Sequence, residues 1–299
     1  MRITQNMTAN NSIYNLQQGR AKLDKLQELA ASQTNINRPS DDPIGASLLL
    51  SIGDQLKAGD QYASNITKAT TFLNVTGTAL QGMADTVASA KKLVGGITSG
   101  SSDQTVLDNI AAQLTIFKKT LVDMGNTQVG NQYVFGGGNG QKPFDAATAA
   151  YSGDETALNV QIGQSATQQM NIPGNQVLTG TGVTTPYGTT NILQTLDDLI
   201  TAVKTNNVSG IQAGANTLEA GADQITKAQT EVASRQTRLD NTATMNTNNK
   251  NTLETIAGNV QNVDYAKLAV ELTNQQTAFQ ASLSATAKVT QMSLLDYLG

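Results

Sequence analysis

Apolar residues recur every seven positions in this chain, twice over, each time for about 50 residues, and no other feature limits its fold so strongly. Stepping by seven from Ile52 lands on Ile52, Gly59, Ile66, Leu73, Leu80, Val87 and Val94, with Leu49, Leu56, Ala63 and Ala84 as a companion row. Stepping by seven from Ile211 lands on Ile211, Leu218, Ile225, Val232, Leu239, Asn246, Leu253 and Val260, flanked by Ala222, Ala243, Ile256 and Val263. Such a stripe keeps one helix face turned toward a partner helix. Each run would extend ~75 Å at ~1.5 Å per residue, well beyond an ordinary globular helix. Two matched runs, one toward each terminus, predict an antiparallel pair with the middle of the chain at its far end. Asn246 interrupts the second row; it either sets register at some cost in stability or is simply exposed. Between the runs, Leu107, Ile110, Leu114, Phe117, Leu121 and Met124 follow the three-four spacing of another helix.

Composition agrees with narrow seams. Only 38% of the 299 residues are hydrophobic and 4% aromatic, with no Trp, whereas a compact core of this size uses more large apolar groups. Cys and His are both absent. Disulfides, thiolate or Ser-His-Asp chemistry and zinc sites with N or S ligands are thereby excluded. Net charge is −4, and no basic cluster exceeds the pairs Lys91-Lys92 and Lys118-Lys119, so neither nucleic acid nor an anionic membrane is an expected partner. The opening "MRITQNMTANNSIYNLQQGR" lacks an apolar leader core, and no run reaches the length of a membrane span. Neither a Sec-type signal nor a transmembrane helix is expected.

Helical patterning stops over residues 132–189. "YVFGGGNGQKPF" is punctuated by Gly and Pro, and Leu158, Val160 and Ile162 alternate with polar residues as in a half-buried strand. Met170 and Ile172 repeat this before a Pro-Gly turn, and helix resumes near Asn191. At the ends, Ile13, Leu16, Leu23 and Leu26 form one thin amphipathic stripe. Tyr265, Leu268, Leu272, Phe279 and Leu283 form another, ahead of the apolar tail that holds Leu294 and Leu295. Isolated helices of this kind are marginal in water. They need each other or a neighbouring subunit. The expected fold is mainly α: an elongated antiparallel long-helix bundle, a coiled-coil rod, with a small inserted β-domain at its tip.

The segment "INRPSDDPIG" looks at first like a site, because Asp41 and Asp42 are adjacent carboxylates beside Arg38. Neighbouring residues point apart, however, and no His, Glu or third Asp follows close by. A turn-and-cap reading uses every residue. Pro39 ends the first helix at Arg38, Ser40 lies in the turn, and Asp42 with Pro43 starts the next helix as N-cap and first residue. Asp41 adds negative charge at the positive end of that helix. The glycine run Gly136–Gly140 lacks the Lys-Ser/Thr ending and the following helix of a phosphate loop, so a loop closing a strand is expected. Asp154-Glu155 reads as turn chemistry. No catalytic, cofactor or metal residues emerge.

Taken together, "INRPSDDPIGASLLLSI" near one end and "NVQNVDYAKLAVELTNQQTAFQASLSATAKVTQMSLLDYL" at the other resemble the flagellin family. The first is similar to that family's basic residue and Asp-Asp-Pro turn between two helices, the second to its acidic-Tyr lead into a polar amphipathic helix. The likeness covers roughly residues 1–135 and 190–299. The opening "MRITQNM", the passage "GNQYVFGGGNGQKPF" and the chain length lean toward the hook–filament junction branch, the third hook-associated proteins; filament flagellin stays open as an alternative, and an exported coiled-coil adhesin as a weaker one. The resemblance implies a structural flagellar protein, not an enzyme, exported through the flagellar type III channel to the extracellular flagellum. It would assemble as a ring of its own subunits between the first hook-associated protein and flagellin, with a cytoplasmic export chaperone on its C-terminal region. Residues 1–43 and 261–299 would then form the inner polymerisation domain, folding on assembly. Residues 44–131 and 190–260 would form the rod, and 132–189 the β-rich insert.

Overall fold

A computed structural model describes the backbone of residues 5–97 and 103–298, and the side chains of these except 5, 6, 8, 9 and 289–298. Among the described residues six α-helices carry the fold: α1 Gln5–Ser32, α2 Pro43–Gly95, α3 Gln104–Gly125, α4 Ile192–Lys204, α5 Val208–Gln261 and α6 Tyr265–Leu298. The heptad runs are the two longest, α2 with 53 residues and α5 with 54. Two compact units result, Met1–Lys57 with Asn249–Gly299, and Ala58–Asn248. Among the described residues no helix is long and apolar enough to cross a membrane.

In the larger unit, 58–248, the predicted rows form the interior. Leu73, Leu80, Val87 and Val94 of α2 are fully buried, as are Leu218, Ile225 and Leu239 of α5. Polar contacts along the seam show the helices to be antiparallel: Gln236 Nε2 donates to Asn74 Oδ1 at 2.8 Å, Gln229 Nε2 to Gln81 Oε1 at 3.2 Å, and Lys91 pairs with Glu219. Asn246 is half-buried and donates to the Gly59 carbonyl at 2.8 Å. Each helix thus breaks its apolar row where the other does, which favours the register-setting reading of Asn246.

Two shorter helices complete the bundle. Lys118 Nζ of α3 meets the Asp197 carboxylate of α4 at 2.6 Å. Helix α4 lies close on α5 because Gly214 and Gly221 leave room for it. A Cβ on Gly214 would stand 2.4 Å from Leu199 Cδ2, and one on Gly221 2.8 Å from Ile192 Cγ1. Both glycines and their α4 partners are spaced by seven, so the heptad here specifies holes as well as knobs.

Residues 126–190 contain less β-structure than their alternation suggests. Strands β1 Gln128–Val129 and β2 Gln132–Tyr133 form one antiparallel ribbon, β3 Asn159–Gln161 and β4 Thr167–Gln169 another. After Pro173-Gly174 comes a buried π-helical turn, Asn175–Thr179. Strands this short cannot enclose a core of their own. Phe135, Phe144, Ile162, Ile172 and Leu178 instead bury themselves in one continuous core with the helices. Phe144 packs tightly against Gly125 and Gly174, where a Cβ would come within 2.7 Å of its ring in either case. Its main chain is clamped in both directions by the Asn126 amide at 2.9 Å.

Polar side chains tie this segment to α5. Gln224, 1% exposed, donates to the Val177 and Thr190 carbonyls and accepts from the Thr190 N–H. Arg235 reaches the Asn171 carbonyl at 2.9 Å. The glycine loop cradles an anion, but an internal one: Asp154 Oδ1 accepts from the Gly138 N–H at 2.6 Å and the Thr156 N–H at 3.0 Å. These bonds hold its carboxyl below the usual carboxylate range, the Gly138 bond most of all. Gly137 sits at φ 76°, and a Cβ there would overlap the Asp154 side chain.

Candidate functional site

The smaller unit holds every residue of the expected hinge and of the terminal stripes. Helices α1 and α6 pack together. Gln275 Nε2 donates to the Gly19 carbonyl at 3.0 Å, and a Cβ on Gly19 would meet Phe279 at 3.4 Å. Thr34, just beyond α1, bridges to Asn262, just before α6, so the two helices run antiparallel. Leu26 and Leu268 are buried, while Leu16, Leu23, Leu272 and Phe279 are half-buried. Ile13 (49% exposed), Tyr265 (52%) and Leu283 (46%) face solvent, as do Ile44 and Leu50 in the first turns of α2. Leu294 and Leu295 fall within α6, and their side chains lie outside those described. The stripe is therefore only half covered within the chain itself.

Between α1 and α2, residues 33–42 form an ordered junction. The expectation that Pro39 ends α1 at Arg38 is corrected. Helix α1 stops at Ser32 because Gln33 adopts a left-handed conformation (φ 63°), which turns the chain into the bridge with Asn262. There the Asn35 N–H donates to the Gln261 carbonyl at 2.7 Å, and the Val263 N–H to the Gln33 carbonyl at 3.4 Å. Pro39 occupies the second position of a turn closed by the Asp41 N–H on the Arg38 carbonyl at 2.9 Å, the position for which its fixed φ is suited. Ser40 is exposed beside it.

The adjacent carboxylates have separate tasks. Asp42 Oδ1 accepts from the Ile44 N–H at 3.1 Å and the Gly45 N–H at 3.0 Å, satisfying two free donors at the start of α2, with Pro43 as first helical residue. Gly45 lets these two side chains close over it: a Cβ would stand 2.4 Å from Asp42 Oδ2 and 2.5 Å from Ile36 Cδ1, so one or both would have to move. Asp41, expected to serve the α2 dipole, turns the other way. It accepts from the Asn37 and Arg38 N–H groups and from Lys25 Nζ at 2.9 Å, which binds the turn to α1. The Lys25 bond, then the backbone bonds, hold its carboxyl below the ordinary range, and the same contact raises Lys25. Arg38 Nη2 lies 3.6 Å from Glu28. Arg38 is exposed and Lys25 and Glu28 are half-exposed, so water reaches each pair and each is weak alone.

The opposite junction has a matching cap. Asp264 Oδ1 accepts from the Ala266 and Lys267 N–H groups, opening α6 as Asp42 opens α2. Sequence reasoning passed over Asp264, Asn262, Lys25 and Gly45 as site residues. Asp264 carried a readable signal, an Asp just before an amphipathic run. Lys25 and Asn262 carried none, because their roles depend on groups 16 and 228 residues away in sequence. This arrangement can orient and join helices, and it has no reactive constellation. Among the described residues no group of three or more Asp or Glu stands close enough to hold a metal.

Comparison with known proteins agrees with this layout. The model of the bacterial flagellin N-terminal helical region matches residues 3–139, and that of the C-terminal helical region matches residues 216–298. Flagellar hook-associated protein 3 of Salmonella typhimurium is 25% identical, over 98% of both chains. Flagellin of Bacillus subtilis is 22% identical over 97% of both. In fold, the chain is similar to the crystal structure of Bacillus cereus FlgL, with a TM-score of 0.60 at 20% identity, over 70% of this chain and 99% of that one. With both terminal helical regions matched at their proper ends, the chain belongs to the flagellin family.

Proposed function

We propose that this protein is a structural subunit of the bacterial flagellum, positioned where the hook meets the filament, and that it completes its fold on assembly. The half-covered α1–α6 pair carries the reading. Its two helices leave Ile13, Tyr265 and Leu283 in water, and such a face gains stability when neighbouring copies cover it. Residues 1–43 with 261–299 are the polymerising part in this reading, residues 44–131 with 190–260 its helical support, and 132–189 the insert. The junction role, between the first hook-associated protein and flagellin, is supported by the end-to-end likeness to flagellar hook-associated protein 3. Export through the flagellar type III channel and a chaperone on the C-terminal region belong to the same proposal.

Deleting the gene tests it. The expected phenotype is complete hooks that shed unpolymerised flagellin, restored by the full-length chain; normal filaments in the deletion strain would refute the junction role. The near-equal likeness to Bacillus subtilis flagellin sustains one second reading, a filament subunit. Copy number per flagellum separates the two, because a junction ring holds few copies and a filament very many.

A further inference from the structure

The glycine loop is the sequence motif that the assembly role leaves unused. Beside its internal anion lies the chain's single Asn-Gly pair, Asn139–Gly140. Both residues are exposed, and Gly140 sits at φ 66° with nothing within 4 Å of where a Cβ would be. Asn139 Oδ1 accepts from the Gln141 N–H at 3.0 Å, and its Nδ2 donates to the Ser152 carbonyl at 3.2 Å.

We propose that Asn139–Gly140 is a site of spontaneous covalent modification, at which Asn139 deamidates and frees the glycine loop from Ser152. The Gly140 main-chain nitrogen, losing its proton to solvent base, attacks Asn139 Cγ. A bond forms between that nitrogen and Cγ, the Cγ–Nδ2 bond breaks, and ammonia leaves with a proton from solvent. Water then opens the cyclic imide at either carbonyl, giving aspartate or isoaspartate. Net, the amide and water become a carboxylic acid and ammonia, with no redox change. Two observed features favour attack here. Gly140 has no side chain to block its nitrogen, and the Gln141 N–H already polarises the carbonyl on which negative charge develops.

The product has a local consequence. A carboxylate at position 139 donates nothing, so the Ser152 carbonyl loses its partner and faces negative charge. Asp154, held by Gly138 in the same loop, adds a second. The segment 136–142 is then anchored by Asp154 alone on this side. The change is irreversible without repair, and it accumulates with the age of an assembled protein.

Peptide mapping by mass spectrometry of the folded, full-length protein, incubated at neutral and mildly alkaline pH, tests the chemistry. Asn126 and Asn131 lie nearby in sequence and serve as internal standards. Conversion at Asn139 is expected to run roughly tenfold or more ahead of both, the rate effect of an unhindered nitrogen and a polarised carbonyl, and to accelerate with pH. It should vanish in Asn139→Gln, whose larger ring closes poorly. Conversion no faster than at Asn126 and Asn131 overturns the site. Hydrogen exchange of Asn139→Asp tests the consequence: faster exchange confined to residues 136–142 and 152–154 supports it, and unchanged exchange overturns it.

Discussion

The two units apply one sequence rule to different effect. In residues 58–248 the large apolar members of the two main heptad rows are buried, and every member of the continuous hydrophobic core, from Ile66 to Leu239, belongs to this unit. In the unit of residues 1–57 and 249–299, only Leu26, Ile52 and Leu268 are buried among the described large apolar side chains. Leu253 and Val260 continue the α5 row and stay half-exposed. Periodicity thus assigns a face, while burial depends on how many elements cover it. Two further helices, α3 and α4, and the 126–190 segment share the larger core with α2 and α5, whereas the smaller unit relies on helix pairs and two short junctions.

The strongest way to break this contrast is to cut equivalent leucines. Leu80→Ala should destabilise the monomer by about 2–5 kcal/mol, the range for a fully buried leucine. Leu268→Ala should change monomer unfolding far less and impair polymerisation more; equal losses in denaturant melts of the two variants would erase the distinction. Next in size is Gln224→Leu, which leaves two carbonyls and an N–H unpaired in the interior and should cost about 2–4 kcal/mol. If it melts like the parent, the 126–190 segment is not tied to α5 in the way described.

Asp42→Ala combined with Pro43→Ala should weaken the α2 cap by about 0.5–2 kcal/mol, with more harm to assembly or motility than to monomer melting. A double variant that assembles and swims normally would remove the hinge from the function. The smallest effect concerns pH. Asp41 has a lowered carboxyl pKa, so the folded junction binds that proton less readily than the unfolded chain does. Its support is complete above the ordinary carboxylate range, near about pH 4, and fades as pH falls through the lowered value. Raised Lys25 works in the opposite window, its support fading only as pH climbs beyond the lysine range. Amide exchange at Asn37 and Arg38, corrected for intrinsic rates, should rise selectively on acidification; an unchanged profile would mean that Asp41 does not organise the turn.

Legibility in the sequence followed interaction distance. Helices α2 and α5 were readable because a heptad repeats its message many times, and the Asp42-Pro43 start of α2 because a cap acts within three residues. Misreadings arose where a distant partner overrode a local signal. Pro39 suggested a helix end at Arg38, but the bridge to Asn262 draws the chain out of helix at Gln33. Alternation at Leu158, Val160 and Ile162 did mark a small β region, and what it could not show is that these short ribbons bury their apolar residues against the helices. Asp41 and Asp42 looked alike as letters, but Asp41 turns back to Lys25 and the Asn37 and Arg38 N–H groups while Asp42 caps α2.

By itself, the sequence determined that the chain would be helical, that two helices of matched length would pair, and that neither Cys nor His chemistry was open to it. Those outcomes depend on periodicity and composition, which are local or additive. Tertiary structure alone decided which stretches of an equally periodic stripe became core, that Gln224 and Phe144 would join the middle segment to the bundle, and that the two interhelix junctions would be bound together at Thr34 and Asn262. Each of those depends on groups far apart in the chain arriving at the same place, and no window of sequence contains both partners.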